Sequence, residues 1–291
     1  MKSILVPTDF SPCSASAYSY AALVAEKTGA EIHLLHVLDV HYPEAPSTGE
    51  TSDNVFFMVQ LMKLTKSRMK KIRNNKIFSN LEVQEHLMIG QIHEKIAESV
   101  KKLKIDLVVM GTHGASGLQE TFIGTNAERI VRNAEIPILT VKHEVKNPKI
   151  DHIVLATDFS KETEYVLPAV SEIAKIFGAK LTLTKIITLT DFESTHEAEL
   201  QIKGFRAKSK IRDFSTHVYY SYSREEGIRR IANTIDANMI AMGTHGRHGL
   251  AHLFRGSIAE DVVNHASLPV LTINFHKKLM EKQQVIVKKS K

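Results

Sequence analysis

Two stretches of the chain space their glycines so that a polyphosphate could lie against bare backbone. The first reads Gly111-x-x-Gly114, nine residues, then Gly124-Thr125; the second reads Gly243-x-x-Gly246, nine residues, then Gly256-Ser257. Glycine lacks a Cβ, so it admits a ligand close to the main chain and takes positive φ without strain. Thr125 and Ser257 are each followed three residues later by Glu128 and Glu260, the capping-box spacing that opens a helix. Free N–H groups and the dipole at such a helix start favour phosphate. A second kind of chemistry sits far away in sequence. Asp9 and Asp158 lie in matching Thr-Asp-Phe-Ser segments, and a carboxylate there can accept from ribose hydroxyls. Both also stand where a cap for the following helix would.

For these groups to meet, the chain must fold twice in the same way. Residues 111–142 and 243–274 agree at fifteen of thirty-two positions without a gap. The starts match as well, Ile4-Leu5-Val6-Pro7-Thr8-Asp9 against Ile153-Val154-Leu155-Ala156-Thr157-Asp158. Such self-similarity is the mark of a duplicated unit. Within copy one, short apolar runs alternate with helical patterns. Strands are expected at Ile4–Val6, Ile32–Leu38, Leu81–Met88, Asp106–Met110 and Ile138–Val141. Helices are expected at Ala15–Lys27, about 58–75, Ile92–Leu103 and Thr125–Asn133. Copy two repeats this order from Ile153 to Ile273.

Strands alternating with helices make βαβ units and a parallel sheet covered on both faces. The expected fold class is α/β, two doubly wound five-stranded domains of strand order 3-2-1-4-5. In that order strands one and four are neighbours whose chains leave in opposite directions, which opens a crevice at their carboxyl ends. Asp9 and the glycine motif converge there, as do Asp158 and the second motif. The domains are read as 1–143 and 151–276, with a linker at 144–150 and a mobile Lys-rich tail at 277–291.

Copy one is seventeen residues longer between its aspartate and its first motif glycine. The excess falls around Val40–Met58 and reads as a loop. Met58, Met62 and Met69 fall near helical spacing and are expected to face the core. The last strands, Ile138–Val141 and Val270–Ile273, are apolar edges suited to pairing with each other. An intramolecular pseudo-dimer is therefore expected, with a homodimer as a further step.

Composition narrows the function classes. A chain of 291 residues with 43% hydrophobic and 24% charged residues is an ordinary globular protein of about two domains. Its net charge of +6 comes from cations that are scattered and partly collect at the C-terminus, with no basic stripe and aromatic stacking partners, so no nucleic-acid partner is expected. A single cysteine, Cys13, excludes an intrachain disulfide and points to a reducing, cytoplasmic setting. Nothing basic sits beside it in sequence to activate the thiol. No apolar run reaches the roughly 18 residues of a membrane span, so no membrane partner is expected. The first strand starts at once, so no signal peptide is expected. His113 and His245 lack partners at ligand spacing, and no metal site or catalytic residue is expected. His36 reads as a core or rim histidine, and Arg247, which Ala115 replaces in copy one, as surface charge.

The motif G-x2-G-x9-G-(S/T) after the fourth strand, twice in register, closely resembles that of the universal stress protein family. The resemblance covers about residues 1–143 and 151–276. It implies a Rossmann-like fold of the adenine nucleotide alpha hydrolase type, and ATP, with or without Mg, as ligand. It also implies roles for particular positions. Asp9 and Asp158 would bind ribose. Backbone at Val37 and Ile186 would meet adenine, and Thr8 and Thr157 would line the pocket by backbone. Met110 and Met242 would wall the base, with Gly111 and Gly243 near the ribose. Gly114, Gly124, Thr125 and Asn126 would cradle phosphates in copy one. Gly246, Gly256, Ser257 and Ile258 would do so in copy two.

Two positions depart from the family pattern. Asn126 stands where a small apolar residue is usual, and Tyr222 in copy two stands for Gly90. Unequal affinity of the two sites is expected. Three functions fit these features: a nucleotide-binding stress-response regulator, a slow ATPase, and an interaction scaffold with empty pockets or another ligand. The chain has no G-x-x-x-x-G-K-[ST] loop, and no base or arginine finger is repeated in both copies. The regulator is the expected reading.

Overall fold

The computed structural model describes residues 1–39, 51–112, 125–143, 145, 147–244 and 258–274. Copy one runs β1 (Ser3–Pro7), α1 (Pro12–Thr28), β2 (Glu31–Leu38), α2 (Thr51–Arg73), β3 (Val83–Ile89), α3 (Ile92–Lys102), β4 (Leu107–Gly111), α4 (Thr125–Asn133) and β5 (Ile138–Val141). Copy two runs β6 (His152–Ala156), α5 (Thr163–Phe177), β7 (Lys180–Ile187), α6 (Thr195–Lys208), β8 (Ser215–Tyr220), α7 (Arg224–Thr234), β9 (Met239–Thr244), α8 (Ile258–His265) and β10 (Val270–Asn274).

Local chemistry sets the boundaries that matter here. Ser11 caps α1 by accepting from the Ser14 amide, with Pro12 in the first turn. Gly29 ends α1 in the left-handed conformation at φ 70°, returning its N–H to Ala25. Gly178 ends α5 in the same way at φ 64°. One boundary differs from expectation. α2 begins at Thr51, inside the stretch read as a loop, because Val55 to Met62 is apolar enough to extend the helix. Met69 is buried, whereas Met58 and Met62 are only partly covered.

All ten strands form one sheet of order β3-β2-β1-β4-β5-β10-β9-β6-β7-β8. Each half is the expected 3-2-1-4-5 parallel arrangement. The halves join where β5 and β10 pair antiparallel, Leu139 opposite Leu271. Thr140 Oγ1 donates to the Val270 carbonyl at 3.1 Å across this seam. Lys142 reaches the Asn264 carbonyl at 2.8 Å, and Arg132 of α4 reaches Glu260 of α8 at 2.7 Å. The apolar edges of the two halves thus close on each other within one chain.

Two core layers flank the sheet. One holds α1 and α5 residues such as Ala21 and Val170 against Leu139 and Leu271, and runs unbroken through both halves. The other holds Ile96, Ile130, Ile231 and Val262 of α3, α4, α7 and α8. Burial on both faces explains why the strands read as continuous apolar runs.

Candidate functional site

The candidate sites lie at the carboxyl ends of β1 and β4, and of β6 and β9, the paired neighbours on which the two chain directions diverge. The loop after β1 has the same build as the loop after β6. The Thr8 amide donates to the Leu35 carbonyl at 2.8 Å and the Thr157 amide to the Thr184 carbonyl at 2.9 Å, extending the pairing one step. The threonine side chains turn inward. Thr8 Oγ1 meets the hydroxyls of Ser14 and Tyr18 and accepts from the Phe10 amide at 3.1 Å. Thr157 Oγ1 meets Thr163 and accepts from the Phe159 amide at 2.9 Å. Both threonine hydroxyls are thus occupied within the loop and the helix that follows it.

Asp9 and Asp158 each accept from the amide two residues on, Ser11 or Ser160, at 3.0 Å. This is an Asx turn, not a helix cap, since Ser11 caps α1 itself. Between aspartate and serine sits a phenylalanine at positive φ, 65° at Phe10 and 57° at Phe159. A bulky residue in that region costs energy and persists where its surroundings hold it. Phe159 is buried against Phe205 with ring centroids 5.5 Å apart. Phe10 is stacked 4.4 Å from His36, with the Arg68 guanidinium 5.7 Å above its ring. This repeated strain fixes the direction of each carboxylate, and no residue-type pattern in the sequence signals it.

Beneath the two loops the copies diverge. His36 donates Nδ1–H to the Thr8 carbonyl at 2.7 Å. Burial holds this imidazole below its ordinary pKa. Lys185 takes the equivalent place on β7 and turns instead to Glu193 and Gln201.

On the far side of β2, Val37 is half-buried beside Met88, while Ile186 of β7 is buried. Met110 and Met242 are buried in the core layer of α3, α4, α7 and α8. Gly111 has a structural task. A Cβ there would lie 2.7 Å from the Cys13 carbonyl oxygen and 3.1 Å from the Ser14 amide, so α1 can meet β4 only over a glycine. The Cys13 thiol donates to the Lys142 carbonyl at 3.2 Å. Gly243 lies on β9 opposite Ile273.

Asn126 falls in the first turn of α4, and Ile258 opens α8. Thr125 is the first helical residue of α4. Gly114, Gly124, Gly246, Gly256 and Ser257 lie outside the described residues, as do His113, His245 and Arg247. Glu128 and Glu260 both bond Arg132, at 2.8 and 2.7 Å.

The pairing of Gly90 with Tyr222 needs correction. The Gly90 amide donates to Leu38 and the Ser221 amide to Ile187, the same position of the second strand in each copy. Ser221 is therefore the register partner of Gly90, and Tyr222 is one extra exposed loop residue. Gly90 holds φ 133°, and a Cβ on it would meet the Lys95 side chain at 3.0 Å. In copy two a glycine stands instead in the helix, Gly227 of α7. A Cβ on Gly227 would lie 2.5 Å from Ile186 Cγ2 and 3.0 Å from Ser221 Cβ. Gly227→Ala should therefore lower stability by about 1 kcal/mol despite its gain in helix propensity. A urea melt reads the sign, and a stabilised variant would show that Ile186 yields freely.

Relatives share this plan. The sequence model of the Universal stress protein family matches residues 1–142 and again 149–274. A universal stress protein of Methanocaldococcus jannaschii is 31% identical over 147 residues, half of this chain and 84% of its own length. One from Synechocystis is 25% identical, covering 94% of this chain and 99% of the relative. The crystal structure of a universal stress protein from Archaeoglobus fulgidus superposes with a TM-score of 0.74 at 20% identity, over 94% of this chain and 98% of that one. Two family matches, on two halves that repeat one sheet order and one strained aspartate turn, leave a single assignment: the chain belongs to the universal stress protein family and carries its domain in tandem.

Proposed function

We propose that the protein is an adenine-nucleotide-binding regulator of the stress response with two sites per chain and no catalytic set of its own. The observation that carries this reading is the duplicated turn at Asp9 and Asp158, held at positive φ beside the end of β4 or β9. A carboxylate fixed in this way suits a pair of ribose hydroxyls. Backbone at Thr8 and Val37, or Thr157 and Ile186, would take the adenine, with Met110 or Met242 as its wall. The amides at the starts of α4 and α8 suit phosphates. Gly114, Gly124, Thr125 and Asn126 would complete the cradle in copy one, and Gly246, Gly256, Ser257 and Ile258 in copy two. Bound ATP, alone or with Mg, would set its polyphosphate charge at the starts of α4 and α8. A ligand that prefers one conformation of the protein shifts its population, which is how a binding protein without chemistry can report energy state.

Denaturing the purified protein should release adenine nucleotide. Adding ATP at about 100 times its Kd to nucleotide-free protein should stabilise it by about 2.7 kcal/mol per site. Native mass spectrometry should count two nucleotides per chain, and one in Asp158→Ala. No released nucleotide and no shift in the melt with ATP would sink the reading. Turnover abolished by Asp158→Ala would replace the regulator with an enzyme.

A further inference from the structure

Helix α2 has 23 residues against 14 in its counterpart α6. Its first turns carry Val55, Phe56, Phe57 and Val59 exposed, with Leu64 beyond them; the two phenylalanines keep 65% and 64% of their surface. Even on the inward side Met58, Leu61 and Met62 are only partly covered. A helix apolar all round calls for a covering, and an exposed patch this contiguous marks an interaction site.

Charge tells what the covering is. The next three turns expose Lys63, Lys66, Arg68, Lys70, Lys71 and Arg73, and the one acidic residue of α2 is Asp53 in its first turn. Arg68 lies over the Phe10 ring and Arg73 reaches Glu85 at 3.8 Å, which leaves four lysines turned outward. Six of the chain's 38 cations thus fall on this one helix. α6 provides the contrast. It exposes one large apolar residue, Leu200, and mixes Glu197 and Glu199 with Lys203 and Lys208, as a solvated helix does.

A second copy of the chain would set cations against cations. A nucleic acid would use the lysines and could stack on the phenylalanines, but would leave Val55, Val59 and Leu64 in water. An anionic lipid surface uses both halves of the pattern. We propose that α2 docks the protein on anionic lipid, its Val55–Val59 turns entering the boundary of headgroups and acyl chains and its lysines lying on the headgroups. At 1.5 Å per residue Lys63 is about 12 Å and Lys71 about 24 Å along the axis from Val55, so the helix meets the surface obliquely. Among the described residues no helix is long and apolar enough to cross a membrane. The contact is peripheral, and it departs from the sequence expectation of no membrane partner.

Flotation of the full chain with vesicles tests this. Phosphatidylcholine vesicles containing about one third phosphatidylglycerol should carry the protein, and pure phosphatidylcholine vesicles should not. Lys66→Ala with Lys70→Ala should weaken partition roughly 30-fold, at about 1 kcal/mol for each cation. Phe56→Ser with Phe57→Ser should abolish flotation while leaving the urea melt unchanged, since both rings are exposed. The proposal fails if anionic vesicles carry no protein, if both lipids carry it equally, or if the phenylalanine variant floats like the parent. It also fails if the parent binds an oligonucleotide or dimerises through Phe56 and Phe57 without binding vesicles.

Discussion

Gly111→Ala should destabilise the protein by about 2–4 kcal/mol. The reason is what the methyl meets. Its nearest neighbours are the Cys13 carbonyl and the Ser14 amide, main-chain atoms in the first turn of α1. No rotamer change relieves a contact of that kind, so either β4 or the start of α1 must move. β4 is held between β1 and β5 through Val108 and Met110, which leaves α1 as the element that yields. α1 is capped by Ser11, and the Ser11 amide donates to Asp9. A shift there carries the aspartate turn with it. Urea unfolding would show the lost stability. On the proposed reading, native mass spectrometry with ATP would then show one nucleotide per chain in place of two, because the Asp158 turn rests on a different helix. A variant as stable as the parent would mean that α1 slides without cost.

That coupling shows where the sequence was legible and where it was not. The strands themselves followed from composition, and their order came with the doubly wound pattern. Parallel strands covered on both faces must be apolar throughout, and Leu107–Met110 or Ile153–Leu155 can hardly be anything else. The pairing of β5 with β10 was anticipated from the tandem repeat and the family resemblance, both strands being apolar edges, whereas its antiparallel sense is a finding of the structure. The aspartates stood out because they recur at one place in each copy. Gly111 stood out too, but the motif suggests a ligand, whereas the structure shows that it also admits α1. Spacing cannot separate these two reasons, since both need a missing Cβ. The strain at Phe10 and Phe159 was invisible, because phenylalanine is not a residue type that announces positive φ. The exchange of a loop glycine for Gly227 was hidden for a related reason. It takes strand register, not alignment, to show that Ser221 replaces Gly90. α2 was placed late because Thr51 to Asn54 lacks the apolar period that marks the rest of the helix.

Lowering the pH from 7.5 to 5.5 should destabilise the fold through four histidines. Burial holds His33, His36, His86 and His152 below the ordinary imidazole value of 6.5. Their contacts explain why the fold resists protonating them. His152 donates Nδ1–H to the Ile235 carbonyl at 2.9 Å, so its Nε2 is an acceptor for the Thr182 hydroxyl at 2.8 Å. His33 Nδ1 and His86 Nε2 lie 3.0 Å apart and share one proton between them. Charging both would set two cations in contact. Well above pH 6.5 these imidazoles are neutral in the folded and unfolded chains alike, and the full stability is present. Below it the unfolded chain gains protons that the fold refuses, and stability falls until the folded values are reached. Each refused proton costs at most about 1.4 kcal/mol per pH unit, reduced here because His36 and His86 are partly exposed. Glu197, held below its usual range by the Ser194 hydroxyl, acts only at lower pH and is a separate effect. Urea midpoints at pH 7.5, 6.5 and 5.5 should fall slightly over the first step and more steeply over the second. His33→Gln with His86→Gln should flatten the drop by up to half. A midpoint that stays level to pH 5.5 would mean that these histidines take up protons in place, with the pair at His33 and His86 opening to water.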